Sequence, residues 1–143
     1  MSGRIMGIDY GSKRLGVAIS DTSATLAQPV AVIERSPGQD GLAGLAKLVD
    51  DYEIKRIVIG YPRTLSGEVG PQAVVVDAFI KSMRGVFHVP IDRYDERLSS
   101  KEARTWLAQM GVSGREAKGS IDKVAAALVL QSYLDRRARG ART

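Results

Sequence analysis

The sequence has no cysteine and a single histidine, His88. Without thiols there are no disulfides and no thiolate metal sites. One imidazole rules out a multi-histidine zinc site and a Cys–His couple, and leaves a Ser-His-Asp triad only formally open. No apolar run approaches the ~18 residues of a membrane span. Ser2, Gly3 and Arg4 lead straight into a short apolar run rather than a signal sequence. A cytoplasmic protein with no membrane partner is the expectation. What is present is ordinary for a globular domain: 143 residues, 44% apolar and 26% charged, enough for one core. The net charge of +5 favours anionic partners, nucleic acid above all. Any metal must be held mainly by carboxylates, which points to a hard cation such as Mg²⁺ or Mn²⁺.

The organising stretch runs from Arg4 to Asp21. A short apolar strand ends on Asp9, a glycine-bearing turn follows, and Leu15 to Ile19 leads away as a second strand. Asp is rare inside strands and costly when buried unpaired. Asp9 therefore either caps the turn or faces something positive. Further on, Ala27 to Glu34 reads as a third strand; Pro29 either places it at a sheet edge or marks the strand proper as starting after it. Gln39 to Tyr52 reads as an amphipathic helix, weakened by Gly41 and Gly44.

Arg56 to Pro62 is a strand apolar on both faces, as in a covered central strand. The loop Arg63 to Gly70 follows. Pro71 opens a helix to about Met83, with Ala73, Val76, Ala78 (or Val74), Phe79 and Ile80 inward. Phe87 to Tyr94 reads as the fifth strand, with His88 structural within it. Ser99 and Glu102 form a capping-box pattern for a helix that stops at Gly111. Ser120 caps the last helix, whose buried stripe is read as Ile121, Val124, Ala125, Leu128, Val129 and Tyr133. Residues 1–138 are one domain, and 139–143 a flexible basic tail.

The order β-β-β-α-β-α-β-α-α predicts an α/β fold. An antiparallel meander of three strands is extended by two strands parallel to the first, with helices on both faces. In such sheets the functional crevice lies beyond the carboxyl ends of the parallel strands. Asp9 and Glu96 both fall there. Asp122, in the first turn of the last helix, either complements the helix dipole or joins them. Three carboxylates on one rim repel one another unless cations neutralise them. A pair of divalent ions is the arrangement that serves phosphoryl transfer.

Gly7-Ile8-Asp9-Tyr10-Gly11-Ser12-Lys13-Arg14-Leu15-Gly16-Val17-Ala18-Ile19-Ser20-Asp21, Gly60-Tyr61-Pro62, Asp95-Glu96-Arg97-Leu98-Ser99-Ser100 and Asp122-Lys123-Val124-Ala125-Ala126 resemble the signature blocks of the YqgF/RuvX family, in order and over nearly the whole chain. The resemblance implies a ribonuclease H-like fold. It implies a nuclease of structured nucleic acid, either maturing the 5′ end of precursor 16S rRNA or resolving Holliday junctions. It also implies Asp9, Glu96 and Asp122 as catalytic acids holding two Mg²⁺ or Mn²⁺ ions. The loop after Gly60-Tyr61-Pro62 departs from the commoner form, lacking an Asn near Thr64 and an Asp before Gly67. Lys13, Arg14, Arg97 and Lys123 neighbour the acids and are candidate phosphate contacts, although a solvated turn or local charge balance explains each almost as well. Trp106 reads as core.

Nucleotide binding of the actin-like kind is the rival reading. It is weakened by the single short domain and by Val17 standing where a phosphate loop needs Lys. A non-catalytic nucleic-acid-binding module is the other. A monomer or a homodimer is compatible with the sequence; a junction resolvase would need the dimer for paired incisions.

Overall fold

The computed structural model describes residues 3–61, 70–95 and 121–141, and the side chains of Ile121, Asp122 and Ala141 lie outside that description. Among the described residues eight elements follow one another: β1 (Arg4–Tyr10), β2 (Arg14–Ser20), β3 (Ala27–Glu34), α1 (Leu42–Asp51), β4 (Ile54–Tyr61), α2 (Pro71–Arg84), β5 (Ile91–Asp95) and α3 (Ile121–Ala141). The strands form one sheet in the order β3-β2-β1-β4-β5. The first three are antiparallel, and β4 and β5 lie parallel to β1. This is the predicted mixed sheet. Its predicted Ser99–Gly111 helix and the Ser120 cap fall outside the described residues. No helix among the described residues is long and apolar enough to cross a membrane.

Period-two alternation divides the core. Met6, Ile8, Leu15, Val17, Ile57 and Ile59 pack against α1 and α2. Ile5, Ala18, Val58 and Tyr94 pack against α3 through Ala126, Ala127, Leu130 and Leu134. The strand β4 is apolar on both sides because it is covered on both sides. At the edge, Pro29 sits in β3 beside a bulge: Val17 pairs with Ala31 and Ala18 with Pro29, so Val30 is the extra residue.

Several boundaries differ from the sequence reading. The strand β5 starts at Ile91, not Phe87. Phe87 is buried and its backbone N–H closes the end of α2 on the Met83 carbonyl at 2.8 Å. Pro90 offers only its carbonyl, which accepts from Ile57 N–H at 2.9 Å. His88 is thus exposed and outside the strand, contrary to its predicted mid-strand place. The first helix spans Leu42–Asp51, shorter than 39–52. Gly41 precedes it at φ +98°, a conformation L side chains rarely adopt. Ala78 and Val74 are exposed; the inward side of α2 is Ala73, Val76, Phe79, Ile80 and Met83. Helical conformation continues through Ala141.

The largest departure is in α3. Val124, Ala125, Leu128 and Tyr133 are only half-buried, while Ala126, Ala127, Leu130 and Leu134 are buried with Val129. Two polar residues share that buried face. Gln131 accepts from Ala27 N–H (2.8 Å) and donates to the Thr25 carbonyl (3.0 Å), satisfying both backbone groups where β3 begins. Ser132 shares a hydrogen bond of 2.8 Å with the Tyr94 hydroxyl. Gln131→Leu strands two backbone groups and should lower stability by about 2 kcal/mol in urea melts. Asp135→Ala removes only a partner of the same amide and should cost about a quarter of that.

Candidate active-site rim

β1 alternates Ile5, Gly7 and Asp9 toward α3, and Met6, Ile8 and Tyr10 toward α2. Asp9 is therefore the last residue of β1 on the α3 side. Its cross-strand partner on β2 is Gly16. On the other flank Ile8 pairs with Ile59, so Gly60 follows beside Asp9. Neither neighbour carries a side chain, and both are buried while Asp9 is half-exposed. The carboxylate thus stands in a glycine-lined cradle.

Gly7 serves a second purpose. A Cβ built there would lie 2.7 Å from Leu130 Cβ and 3.1 Å from the Ala126 carbonyl oxygen. Its absence lets α3 lie directly on β1. From that contact α3 runs toward the start of the parallel strands, where Gln131 meets Ala27 and Arg136 and Arg137 approach Arg56. The other end of α3 consequently points to the Asp9 rim. Asp122 precedes Ala126 by one helical turn, about 6 Å. Asp9 follows Gly7 by two strand residues, about 6.6 Å.

On β5, Tyr94 packs with Ser132 and Tyr133 on the α3 side. Asp95 pairs with Tyr61, whose ring belongs to the α2-side core, so Asp95 faces away from Asp9. Glu96 and Arg97 lie outside the described residues. Among the described residues no three His, Asp or Glu side chains cluster as a metal site.

The basic candidates separate. Lys13 lines a groove of about 650 Å³ with Ser12, Arg35, Ser36, Pro37 and Gly38. Arg14 sits across from Glu34 at 3.9 Å in an exposed pair, worth little. Lys123 is half-buried in the first turn of α3. Asp21 is at the opposite end of the sheet and is a turn carboxylate. Burial acts to raise its pKa, but hydrogen bonds from Ser23, Thr25 and Leu26 outweigh that and hold it below the usual value.

Arg35 was not singled out in the sequence, yet it organises the turn beside Asp9. Its guanidinium donates to the Gly11 carbonyl (2.6 Å) and the Asp40 carbonyl (2.8 Å). The same group lies 4.6 Å from the Tyr10 ring centre and 5.2 Å from that of Phe79. It pins the hairpin tip to the loop after β3. No local pattern announces this, because its partners come from three separate segments.

Residues 3–136 match the family RuvX, described as Holliday junction resolvase. A relative from Chloroflexus aggregans, named "Putative pre-16S rRNA nuclease", is 41% identical over 93% of this chain and 94% of its own. One of the same name from Desulforudis audaxviator is 38% identical over 98% and 99%. Among solved structures, the chain resembles Thermus thermophilus RuvC in complex with a Holliday junction substrate (TM-score 0.59, 18% identity, 96% of each chain). It also resembles the fowlpox virus Holliday junction resolvase (TM-score 0.56, 13% identity, 94% of this chain and 99% of the other). At such identities the structural likeness speaks to the fold, which is ribonuclease H-like. With the family matched from residue 3 to 136 and close relatives spanning almost the full length, the chain belongs to the RuvX family.

Proposed function

We propose that this protein is a divalent-metal-dependent nuclease that hydrolyses phosphodiester bonds of structured nucleic acid, with the 5′ end of precursor 16S rRNA as its substrate. The observation that carries the reading is the position of Asp9: at the carboxyl end of β1, between two glycines, on the side where α3 begins. Asp9, Glu96 and Asp122 are the acids assigned to it. The phase of β5 favours Glu96 over its neighbour, because Asp95 is turned to the α2 side. The all-oxygen donor set and the side-chain-free cradle suit hydrated Mg²⁺ or Mn²⁺. Such ions, when bound, supply an acidified water and Lewis-acid stabilisation of charge on the phosphate.

The remaining work falls to the chain itself. Arg35 fixes the hairpin tip, so Lys13 is presented from a braced turn to a phosphate beside the scissile bond. Lys123 and Arg97 are assigned phosphate contacts next to the acids. Arg14 contributes long-range attraction, its exposed pair with Glu34 being readily exchanged.

Names of relatives favour rRNA, and the family description favours branched DNA. The two are separated by incubating purified protein with Mn²⁺, or with chelator, on RNA bearing the precursor 5′ extension and on a four-way DNA junction. Expected are a discrete cut in the RNA, none with chelator, and an intact junction. Paired incisions in the junction with intact RNA would move the assignment to a resolvase acting as a dimer.

A further inference from the structure

We propose that a basic pocket beside the C-terminal half of α3 binds a backbone phosphate of the nucleic-acid strand leaving the Asp9 rim; the identity of this ligand rests on the nuclease reading above. The pocket encloses about 370 Å³ and is lined by Arg56, Tyr94, Tyr133, Arg136 and Arg137. Its three guanidiniums come from two elements, β4 and α3. Arg56 donates to Asp92 Oδ2 at 2.7 Å, and the Tyr133 hydroxyl donates to the same oxygen at 3.0 Å. Asp92 therefore positions Arg56 and is itself engaged.

Arg136 and Arg137 are exposed and form no ion pair with any carboxylate among the described residues. Three positive groups line this concave surface, one of them, Arg56, paired with Asp92. A solvated helix end would not need the contribution of Arg56 from the sheet. Guanidiniums in this arrangement suit the fork geometry of a phosphate. Tyr133 stands edge-on to Tyr94, with ring centres 5.8 Å apart, and gives the pocket an aromatic wall.

The pocket shares a face with Asp9. Arg56 has the same parity on β4 as Val58, which packs on the α3 side. It lies four residues before Gly60, Asp9's neighbour, so about 13 Å away along the strand. Arg136, on the same helix as Asp122, is about 21 Å along it from that residue, so at ~3.4 Å of rise per nucleotide the pocket lies about four to six nucleotides from the cut.

The test uses the full-length chain with Ca²⁺ in place of Mg²⁺ or Mn²⁺, and a fluorescein-labelled RNA spanning the precursor 5′ end. The double variant Arg136→Gln/Arg137→Gln should bind about tenfold more weakly, with the slope of log K against log salt smaller by between one and two. Its melting temperature should be unchanged, and Arg136→Lys/Arg137→Lys should keep the wild-type slope. DNA of the same sequence should show the same loss, since the phosphate is common to both. Trimming the RNA to fewer than about four nucleotides on one side of the cut should abolish the difference between variant and wild type. Affinity and slope within twofold of wild type would overturn the proposal, as would a loss confined to RNA or one that survives trimming on both sides. The measurement involves no turnover, so cleavage retained by Asp9→Asn would sink the catalytic assignment without touching this result.

Discussion

Asp9→Asn should leave the fold intact and reduce cleavage by about 10³-fold or more. Asn matches Asp in size and removes only the charge. The neighbouring Gly16 and Gly60 supply no other carboxylate. A thousandfold loss corresponds to about 4 kcal/mol of transition-state stabilisation. The measurement is kcat/KM on the RNA at saturating Mn²⁺, beside a thermal melt showing the variant folded. Asp95→Asn is the internal control. Asp95 lies on the opposite side of the sheet, so its loss should be small by comparison. Equal rates for Asp9→Asn and wild type would remove this residue from the chemistry.

Gly7→Ala should be strongly destabilising, because its methyl would be driven into the helix that covers the sheet. The added carbon would meet Leu130 Cβ at 2.7 Å and the Ala126 carbonyl oxygen at 3.1 Å. Relief requires α3 to lift by roughly 1 Å. The helix resists, because Gln131 holds it to the start of β3 while Ser132 and Tyr133 hold it to β5. Overpacking of this kind costs about 3 kcal/mol. For a chain of this size the melting temperature should fall by about 10 °C. In the proposed three-acid site, the same lift would tilt the first turn of α3, where Asp122 sits, away from Asp9. A misplacement of ~1 Å can cost about 100-fold in rate. Denaturant melts and kcat measured well below the new melting point separate the two effects. A variant as stable as wild type would show that α3 does not rest on β1 at this point.

The meander and the parallel placement of β4 and β5 were legible because alternation and connection length are local signals. The position of Asp9 at the end of β1 was legible for the same reason: a carboxylate closing an apolar strand is conspicuous. The buried face of α3 was not. That helix crosses several strands and buries Gln131 and Ser132 with its alanines, so hydrophobicity alone misassigns its stripe. Phe87–Pro90 misled because an apolar run without clean alternation fits a strand and a buried turn equally well. Gly7 looked like one more small residue; its importance depends on a helix more than a hundred positions away. Arg35 was silent because its ring and carbonyl partners are assembled only by folding.

The bulge in β3 bears on how copies of this chain could meet. Pro29 offers no N–H, and the extra residue Val30 throws the outward backbone groups out of step with any straight neighbour. Two molecules cannot zip into a continuous ten-stranded sheet along that border. An assembly formed across this border would have to be built from side-chain surfaces, so its spacing would be set by helices and loops rather than by strand pairing.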